Sequence, residues 1–448
     1  MIKMQLKTFP KGGLHPADNK ISANKQIESL SVPETVLIPL SQHLGAPATP
    51  VVQINDTVQV GQLIAKSSGF ISANIHSSVS GTIKKFDKAT DTSGYRTDCF
   101  FIKVEGDQWL EGIDKSNSLK KECTLSADEI KQKVFDAGIV GLGGATFPSH
   151  VKLSTPKDKI AEYLIINGAE CEPYLTSDHQ LMLEKSEEII VGVSILMKAL
   201  SVDKALIGIE NNKINAIKNL SKMAEYYSGI EINALKTQYP QGGEKQLVKS
   251  LIDREIPPPP GLPIDVGCVV FNVGTVFAIY EAVQKNKPLI ERIVTVTGKS
   301  LEKPSNYLVR LGTPISKLIE ASGGLPADTG KIIIGGPMMG KATADMNIPV
   351  TKGTSGVLIL PENESKRKQE LNCIKCAKCV SVCPLGLEPY LLAKICEKKL
   401  FDKAEEEQVI NCMECGCCSY ICPSNRPLLD YIRYGKTTVM NIIRNRNK

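Results

Sequence analysis

Apolar residues change their period along this chain, and the changes divide it. From Thr35 to Val104 they form short runs (Thr35 to Ile38, Gly69 to Ile75, Gly81 to Ile83, Phe100 to Val104) punctuated by Gly, Pro, Asn and Ser, which predicts a small all-β unit. Ser126-Ala-Asp-Glu129 carries a capping-box pattern, and Ile130, Val134 and Ala137 follow at helical spacing until Gly138. Apolar runs then alternate with amphipathic stretches. Strands are predicted at Tyr163 to Ile166, Ala205 to Ile209 and Ile230 to Leu235, and helices at Asp178 to Leu200 and Asn212 to Tyr226, giving an α/β domain with a partly parallel sheet. Ile256-Pro-Pro-Pro-Pro-Gly-Leu-Pro263 lacks the N–H donors that either element needs and reads as a stiff loop. Ile293 to Leu360 returns to short strands, with glycine turns at Gly323-Gly324 and Gly335-Gly336 and a helix near Pro314 to Ala321, a compact α+β unit. Charged Glu362 to Gln369 reads as a solvated linker.

At 448 residues the chain has room for about three domains, and 42% hydrophobic residues excludes a disordered or collagen-like chain. Its 54 Lys and Arg against 48 Asp and Glu leave +6, too small an excess for a surface that coats nucleic acid. No apolar run precedes Pro10, and the longest uncharged stretch, Val266 to Tyr280, is shorter than a spanning helix and contains Asn272, Thr275 and two glycines. The expectation is a chain with reduced thiols and no transmembrane segment.

Fourteen cysteines change that picture, because ten lie between Cys373 and Cys422 while only Cys99, Cys123, Cys171 and Cys268 lie elsewhere. Cys373-x-x-Cys376-x-x-Cys379-x-x-x-Cys383-Pro recurs as Cys412-x-x-Cys415-x-x-Cys418-x-x-x-Cys422-Pro, the two-cluster ferredoxin run written twice. In such runs the fourth cysteine ligates the other cluster. That assigns Cys373, Cys376, Cys379 and Cys422 to one 4Fe-4S cluster, and Cys412, Cys415, Cys418 and Cys383 to the other. Structural zinc also uses paired CxxC, but rarely with a third cysteine at the same spacing and a Cys-Pro in both halves. Cys396 and Cys417 read as packing residues.

A second constellation is rich in glycine. Gly141-Leu-Gly143-Gly144-Ala-Thr-Phe147-Pro follows a helix rather than a strand, and Thr146 stands where a dinucleotide fingerprint needs its third glycine, so a Rossmann reading fails. The glycines still allow close backbone approach to a phosphate or flavin ring, and Lys152 offers a counter-charge. Asn167-Gly-Ala-Glu170-Cys-Glu172-Pro and Tyr239-Pro-Gln-Gly242-Gly-Glu244 each follow a strand, where α/β sheets bind ligands, and Asn272-Val-Gly-Thr275 adds amide and hydroxyl groups. Any one of these alone fits a turn or a helix cap equally well.

Together and in this order they resemble the flavin- and NADH-binding subunit of respiratory complex I, and Ile293 to Met339 resembles the β-grasp (SLBB-like) domain that follows it there. The run Val58 to Ile64 with Ser72 to Gly81 resembles barrel-sandwich modules that carry lipoyl or biotin, without a lysine at the hairpin tip. The whole combination, with Phe9-Pro-Lys-Gly-Gly-Leu-His-Pro and the doubled cysteine run, resembles the RnfC family, a component of Rnf-type ion-translocating electron-transport complexes. The resemblance implies a multidomain α/β and α+β protein. Its parts would be an N-terminal segment with a barrel-sandwich module (1–120), an FMN/NADH-binding α/β domain (121–290), a β-grasp domain (291–360), an α-helical domain with two 4Fe-4S clusters (361–430) and a basic tail (431–448). It further implies non-covalent FMN held by Gly141, Gly143, Gly144 and Lys152, with Asn167, Glu170, Gly242, Asn272 and Thr275 around its ring and ribityl phosphate. Phe147 would stack on the NAD(H) and Glu172 and Glu244 would bond it, beside Tyr239 of the same loop. The chain departs from the complex I pattern at Leu142, Ala169, Gly243 and Gly274, where that family has an arginine and three acids.

The implied activity is that of a component of a ferredoxin:NAD oxidoreductase and translocase. A flavin takes the electron pair of NAD(H) and passes single electrons to clusters. Implied partners are the integral-membrane and iron–sulfur subunits of the complex and NAD(H), but no nucleic acid. The expected place is peripheral, on the cytoplasmic face of the cell membrane, where Arg433, Lys436, Arg444, Arg446 and Lys448 of the tail would meet lipid or an acidic partner. Rival readings are the electron-input subunit of a soluble NADH-dependent dehydrogenase or hydrogenase, a cobalamin reductase of the same architecture, and an iron–sulfur scaffold that only binds.

Overall fold

Every residue of the strand Ala205–Glu210 is buried, so both faces of its sheet must be covered, as in a parallel sheet wrapped by helices. The order is Ile230–Leu235, Ala205–Glu210, Tyr163–Asn167, Cys268–Asn272, and all pairs are parallel. Alternate side chains feed two cores. Leu164, Ile166, Ile207 and Phe271 pack with the helices Ala127–Asp136, Ser186–Leu200, Ile214–Ala224 and Val273–Lys285, whereas Ile165, Leu206 and Val270 pack with Glu244–Ile252. In this computed structural model, residues 5–92, 94–156 and 158–446 are described.

The expected strands are present, and the sheet is wholly rather than partly parallel. The helix expected over Asp178 to Leu200 is two, Ser177–Glu184 and Ser186–Leu200. The break falls at Lys185, beside Ser186, whose Oγ donates to the Met182 carbonyl at 2.6 Å and so competes for the backbone ladder.

Two small antiparallel sheets form the barrel-sandwich unit around Ile38, Ile64, Ile83 and Ile102. Of the expected run Gly69 to Ile75 only Ile75 is strand, as the first residue of Ile75–His76. The preceding loop is held instead by side chains, with Asn74 Oδ1 accepting from Ser67 N and Ser72 Oγ from Ser68 N. The β-grasp unit is a six-stranded sheet with the helix Ile315–Ala321 packed on it. Its edge strand, Ile27–Ser29, comes from the amino-terminal segment, which also bridges Lys7 to Leu235 and Leu14 to Tyr239. Residues 7–29 therefore lace the units together instead of staying with the barrel sandwich.

Two sequence expectations near the carboxyl end are corrected. Glu362 to Gln369 is not wholly solvated linker, because Glu362–Ser365 is a helical turn docked on the β-grasp sheet through Glu362 N to Asp328 O and Lys331 Nζ to Ser365 O. Nor is Tyr431 onward a separate tail. Leu428–Arg446 is one helix, with Ile432 and Val439 buried in the core shared by Leu392, Ile395 and Val409. Arg433 and Lys436 pair with Glu414, and Arg446 with Glu405 and Asp402, which spends most of the positive charge within the domain. Lys448 lies outside the described residues.

Candidate functional site

Asn167 and Asn272 end adjacent parallel strands in register, and a cleft of about 650 Å³ opens beyond them at the carboxyl edge of the sheet. Gly141, Gly143, Gly144, Phe147, Lys152, Asn167, Glu170, Glu172, Tyr239, Gly242, Glu244 and Asn272 all line it. Thr275 does not. It is fully buried, and its Oγ1 accepts the Leu142 N–H at 2.9 Å, holding the glycine loop from behind. Arg292 Nη2 donates to the Leu142 carbonyl at 3.4 Å from the same side.

Within the glycine loop, Gly144 has φ +114°, and a Cβ there would project into open space, so the loop presents bare backbone to the cleft. Gly143 backs onto Asn272, whose Cβ would lie 3.2 Å from an added Cβ. Asn272 is fixed at both ends. Its Oδ1 caps the helix Val273–Lys285 by accepting from Gly274 and Thr275, and its Nδ2 donates to Asp178 at 2.7 Å. Asn167 Nδ2 donates to the Gly242 carbonyl at 2.8 Å, joining two site loops. Lys152 Nζ donates to the Val270 carbonyl at 2.9 Å and reaches Glu244 at 3.5 Å, so its charge stands at the cleft edge with an acid beside it.

The two acids of the Asn167 to Pro173 loop spend their oxygens within the protein. Glu170 caps the helix Ser177–Glu184, accepting from Asp178 N and His179 N. The resemblance puts Glu172 on the nucleotide, but here it accepts the N–H groups of Met338 and Met339 at 3.1 and 2.9 Å and so clamps the β-grasp loop over the cleft. Burial raises Glu172 to about 7.

Three contributors escaped the sequence reading. Lys20 Nζ donates to the carbonyls of Glu170, Glu172 and Leu175, from 150 residues or more away and with no motif around it. Asp178 lines the cleft, and burial and then the Glu170 charge raise it to about 7. Its signal was an acid five residues beyond Pro173 of that motif, read only as a helix start. Met413, an unassigned residue between two cysteines, lines the same cleft.

Met413 also lines a second, smaller and mostly apolar cavity whose wall contains Cys383, Cys412, Cys415 and Cys418. Three of these come from the second cysteine run and one from the first. Backbone N–H groups of Leu387 and Glu414 point at the sulfurs of Cys383 and Cys412. In the other set, Cys379 lies within electrostatic reach of Cys422. Among the described residues no group of three or more His, Cys, Asp or Glu is placed to hold a single metal ion. Cys396 and Cys417 are fully buried, the first against Gly435 and the second with Leu14 and Tyr239.

Comparison with known proteins follows the same divisions. Residues 7–107 match the model of the RnfC barrel sandwich hybrid domain, 134–281 that of the Nuo51 FMN-binding domain and 293–342 that of the SLBB domain. The corresponding component of the proton-translocating ferredoxin:NAD(+) oxidoreductase complex of Clostridium ljungdahlii is 47% identical over 435 residues, 96% of this chain and 94% of that one. Its counterpart in the Na(+)-translocating ferredoxin:NAD(+) oxidoreductase complex of Acetobacterium woodii is 44% identical over 96% of this chain and 97% of its own length. The counterpart in the ion-translocating oxidoreductase complex of Rhodobacter capsulatus is 41% identical, covering 85% of this chain and 74% of its own. A chain of the NAD+-reducing NiFe-hydrogenase in the H2-reduced state shares the fold, with a TM-score of 0.50 and 19% identity over 69% of this chain and 61% of that one.

Proposed function

The chain belongs to the RnfC family of ion-translocating ferredoxin:NAD(+) oxidoreductase complexes, and on that premise we propose that it relays electrons between NAD(H) at the Asn167–Asn272 cleft and two 4Fe-4S clusters. Near full-length identity to members of that family does not favour a soluble dehydrogenase or hydrogenase input subunit or a cobalamin reductase.

FMN fits the cleft by three features: bare backbone at Gly143 and Gly144, paired amides at the strand ends, and Lys152 at the rim. Bound there, it exchanges an electron pair with NAD(H) and single electrons with an iron–sulfur centre. Thr275 and Arg292 fix the glycine loop, Asn272 and Asp178 fix each other, and Glu172 holds the β-grasp loop as a cover that limits water. Phe147 and Glu244 line the cleft and are assigned to the nucleotide. Cys383, Cys412, Cys415 and Cys418 are assigned to an inner cluster and Cys373, Cys376, Cys379 and Cys422 to an outer one.

One observation carries this reading: Met413 belongs to the wall of both the cleft and the inner cysteine cavity. Among the described residues no helix is long and apolar enough to cross a membrane. From the family membership we assign membrane attachment to integral-membrane and iron–sulfur partners, on the cytoplasmic face.

Anaerobic purification, acid release of flavin and an iron count test the proposal. About one FMN and about eight irons per chain are expected, with NADH bleaching the flavin and generating a cluster EPR signal. Iron near zero, or flavin absent from iron-loaded protein, refutes it.

A further inference from the structure

The two cysteine runs are the same loop written twice, yet only one of them is covered. In the inner run, Met413 meets Gly243 of the cleft loop, Glu414 pairs with Arg433 and Lys436, the Met338 carbonyl closes over Gly416, and Cys417 is buried beside Tyr239. Every residue between those ligands is engaged. The counterparts in the outer run are Ile374, Lys375, Ala377 and Lys378, all exposed. Ile374, the twin of Met413, is 67% exposed, and Leu371 just before it is 53% exposed. Cys373 and Cys376 are exposed along with the residues between them, and Lys375 and Ala377 take positive φ.

The charge of this bare loop is one-sided. Among the described residues Lys368, Lys375 and Lys378 have no ion-pair partner; Glu370 is paired with Arg426, and Glu388, which accepts from the Tyr390 hydroxyl, keeps its charge, so the cations outnumber the unpaired acid. An apolar centre with a cationic rim, over a one-electron site, is complementary to an acidic protein whose own redox centre lies near its surface.

We propose that Ile374, Lys375 and Lys378 form the docking surface of an acidic one-electron carrier protein, mirroring the contact that Met413 makes with the flavin domain. The inference rests on the cluster assignment of the proposed function. In one encounter a single electron passes. The carrier is oxidised by one and the outer centre reduced by one, or the reverse, and no bond forms or breaks.

The test uses full-length, iron-loaded protein and an acidic two-cluster ferredoxin as the probe, with association measured at low and at raised ionic strength. Lys375→Glu with Lys378→Glu is expected to slow association at low salt by at least about tenfold and to flatten its salt dependence. Ile374→Ala is expected to speed dissociation with little change in association. Lys218→Glu with Lys222→Glu, an equal change of charge on an exposed helix of the flavin domain, is expected to leave both rates near wild type. Iron counts and EPR on the same samples show whether the clusters remain. Wild-type protein that carries eight irons and does not bind the probe, or equal slowing by the two double variants, overturns the docking surface alone. Protein without iron overturns the cluster assignment and the docking surface with it.

Discussion

The phenolic oxygen of Tyr239 donates to the carbonyl oxygen of Cys415 at 2.8 Å, tying the cleft loop to the inner cysteine run. Tyr239 is 2% exposed, so this bond is made without competition from water. Removing it leaves a buried carbonyl without that donor. Tyr239→Phe is expected to cost about 1–3 kcal/mol at this junction. Anaerobic denaturation followed through cluster absorbance checks it, and an unchanged midpoint would show the bond to be dispensable.

Gly243→Ala addresses the same junction from the other side. Its Cβ would lie 2.6 Å from Gln246 Oε1 and 2.7 Å from Met413 Cε, so both side chains must swing away, which flexible side chains do at small cost. FMN and iron contents are expected to stay at wild type, while rapid mixing with NADH shows slower arrival of electrons at the clusters. Unaltered kinetics would remove Met413 from the relay.

Gly143→Val is expected to abolish flavin binding and spare the clusters, because the new side chain meets Asn272 at contact distance and displaces the loop that Thr275 holds. The readout is acid-released flavin beside the iron count. Retained flavin places the site elsewhere.

Cys383→Ser tests the crossing of ligands. Cys383 belongs to the first run by sequence and shares a cavity with Cys412, Cys415 and Cys418. The variant is expected to lose the inner EPR signal and keep the outer one, whereas Cys376→Ser does the opposite. Both variants losing the same signal would refute the crossing.

A pH effect follows from Asp178. Burial and the Glu170 charge hold it at about 7, against about 4 in an unfolded chain. Between those values the folded state keeps a proton that the unfolded state has released, so stability falls as pH rises through that window. Glu172, raised in the same direction, adds to the slope. Asp178→Asn keeps an acceptor for Asn272 and is expected to show a flatter decline in denaturation midpoint from about pH 5 to about pH 7. A slope as steep as wild type would assign the effect to other groups.

How far the sequence reaches depends on how local the determining interaction is. The capping box at Ser126 and Glu129 is satisfied over three residues, and the helix Ala127–Asp136 forms where that pattern placed it. Period-2 runs such as Ile230–Leu235 name their own strand because Ile230, Ile232 and Ala234 pack into one core while Glu231 and Asn233 between them stay out of it. The cysteine spacing likewise fixes which loops can wrap a cluster, since three ligands lie within seven residues. Gly141 to Lys152, Asn167 to Glu172, Tyr239 to Glu244 and Asn272 were legible as site candidates for the same reason, each being a short run with its own chemistry.

What tertiary structure decided is which of those groups face the cleft with their polar atoms and which spend them inside the protein. Thr275 reaches Leu142 across 133 residues, Glu172 reaches Met338 across 166 and Tyr239 reaches Cys415 across 176. No local pattern records such pairings. They exist because four packed units bring the strand ends, the β-grasp loop and the inner cysteine run to one place, where a buried polar atom must take whichever partner the packing supplies. The sequence alone determined the chemistry available to this chain. The packing determined that Met413 faces the flavin domain while its twin, Ile374, faces outward.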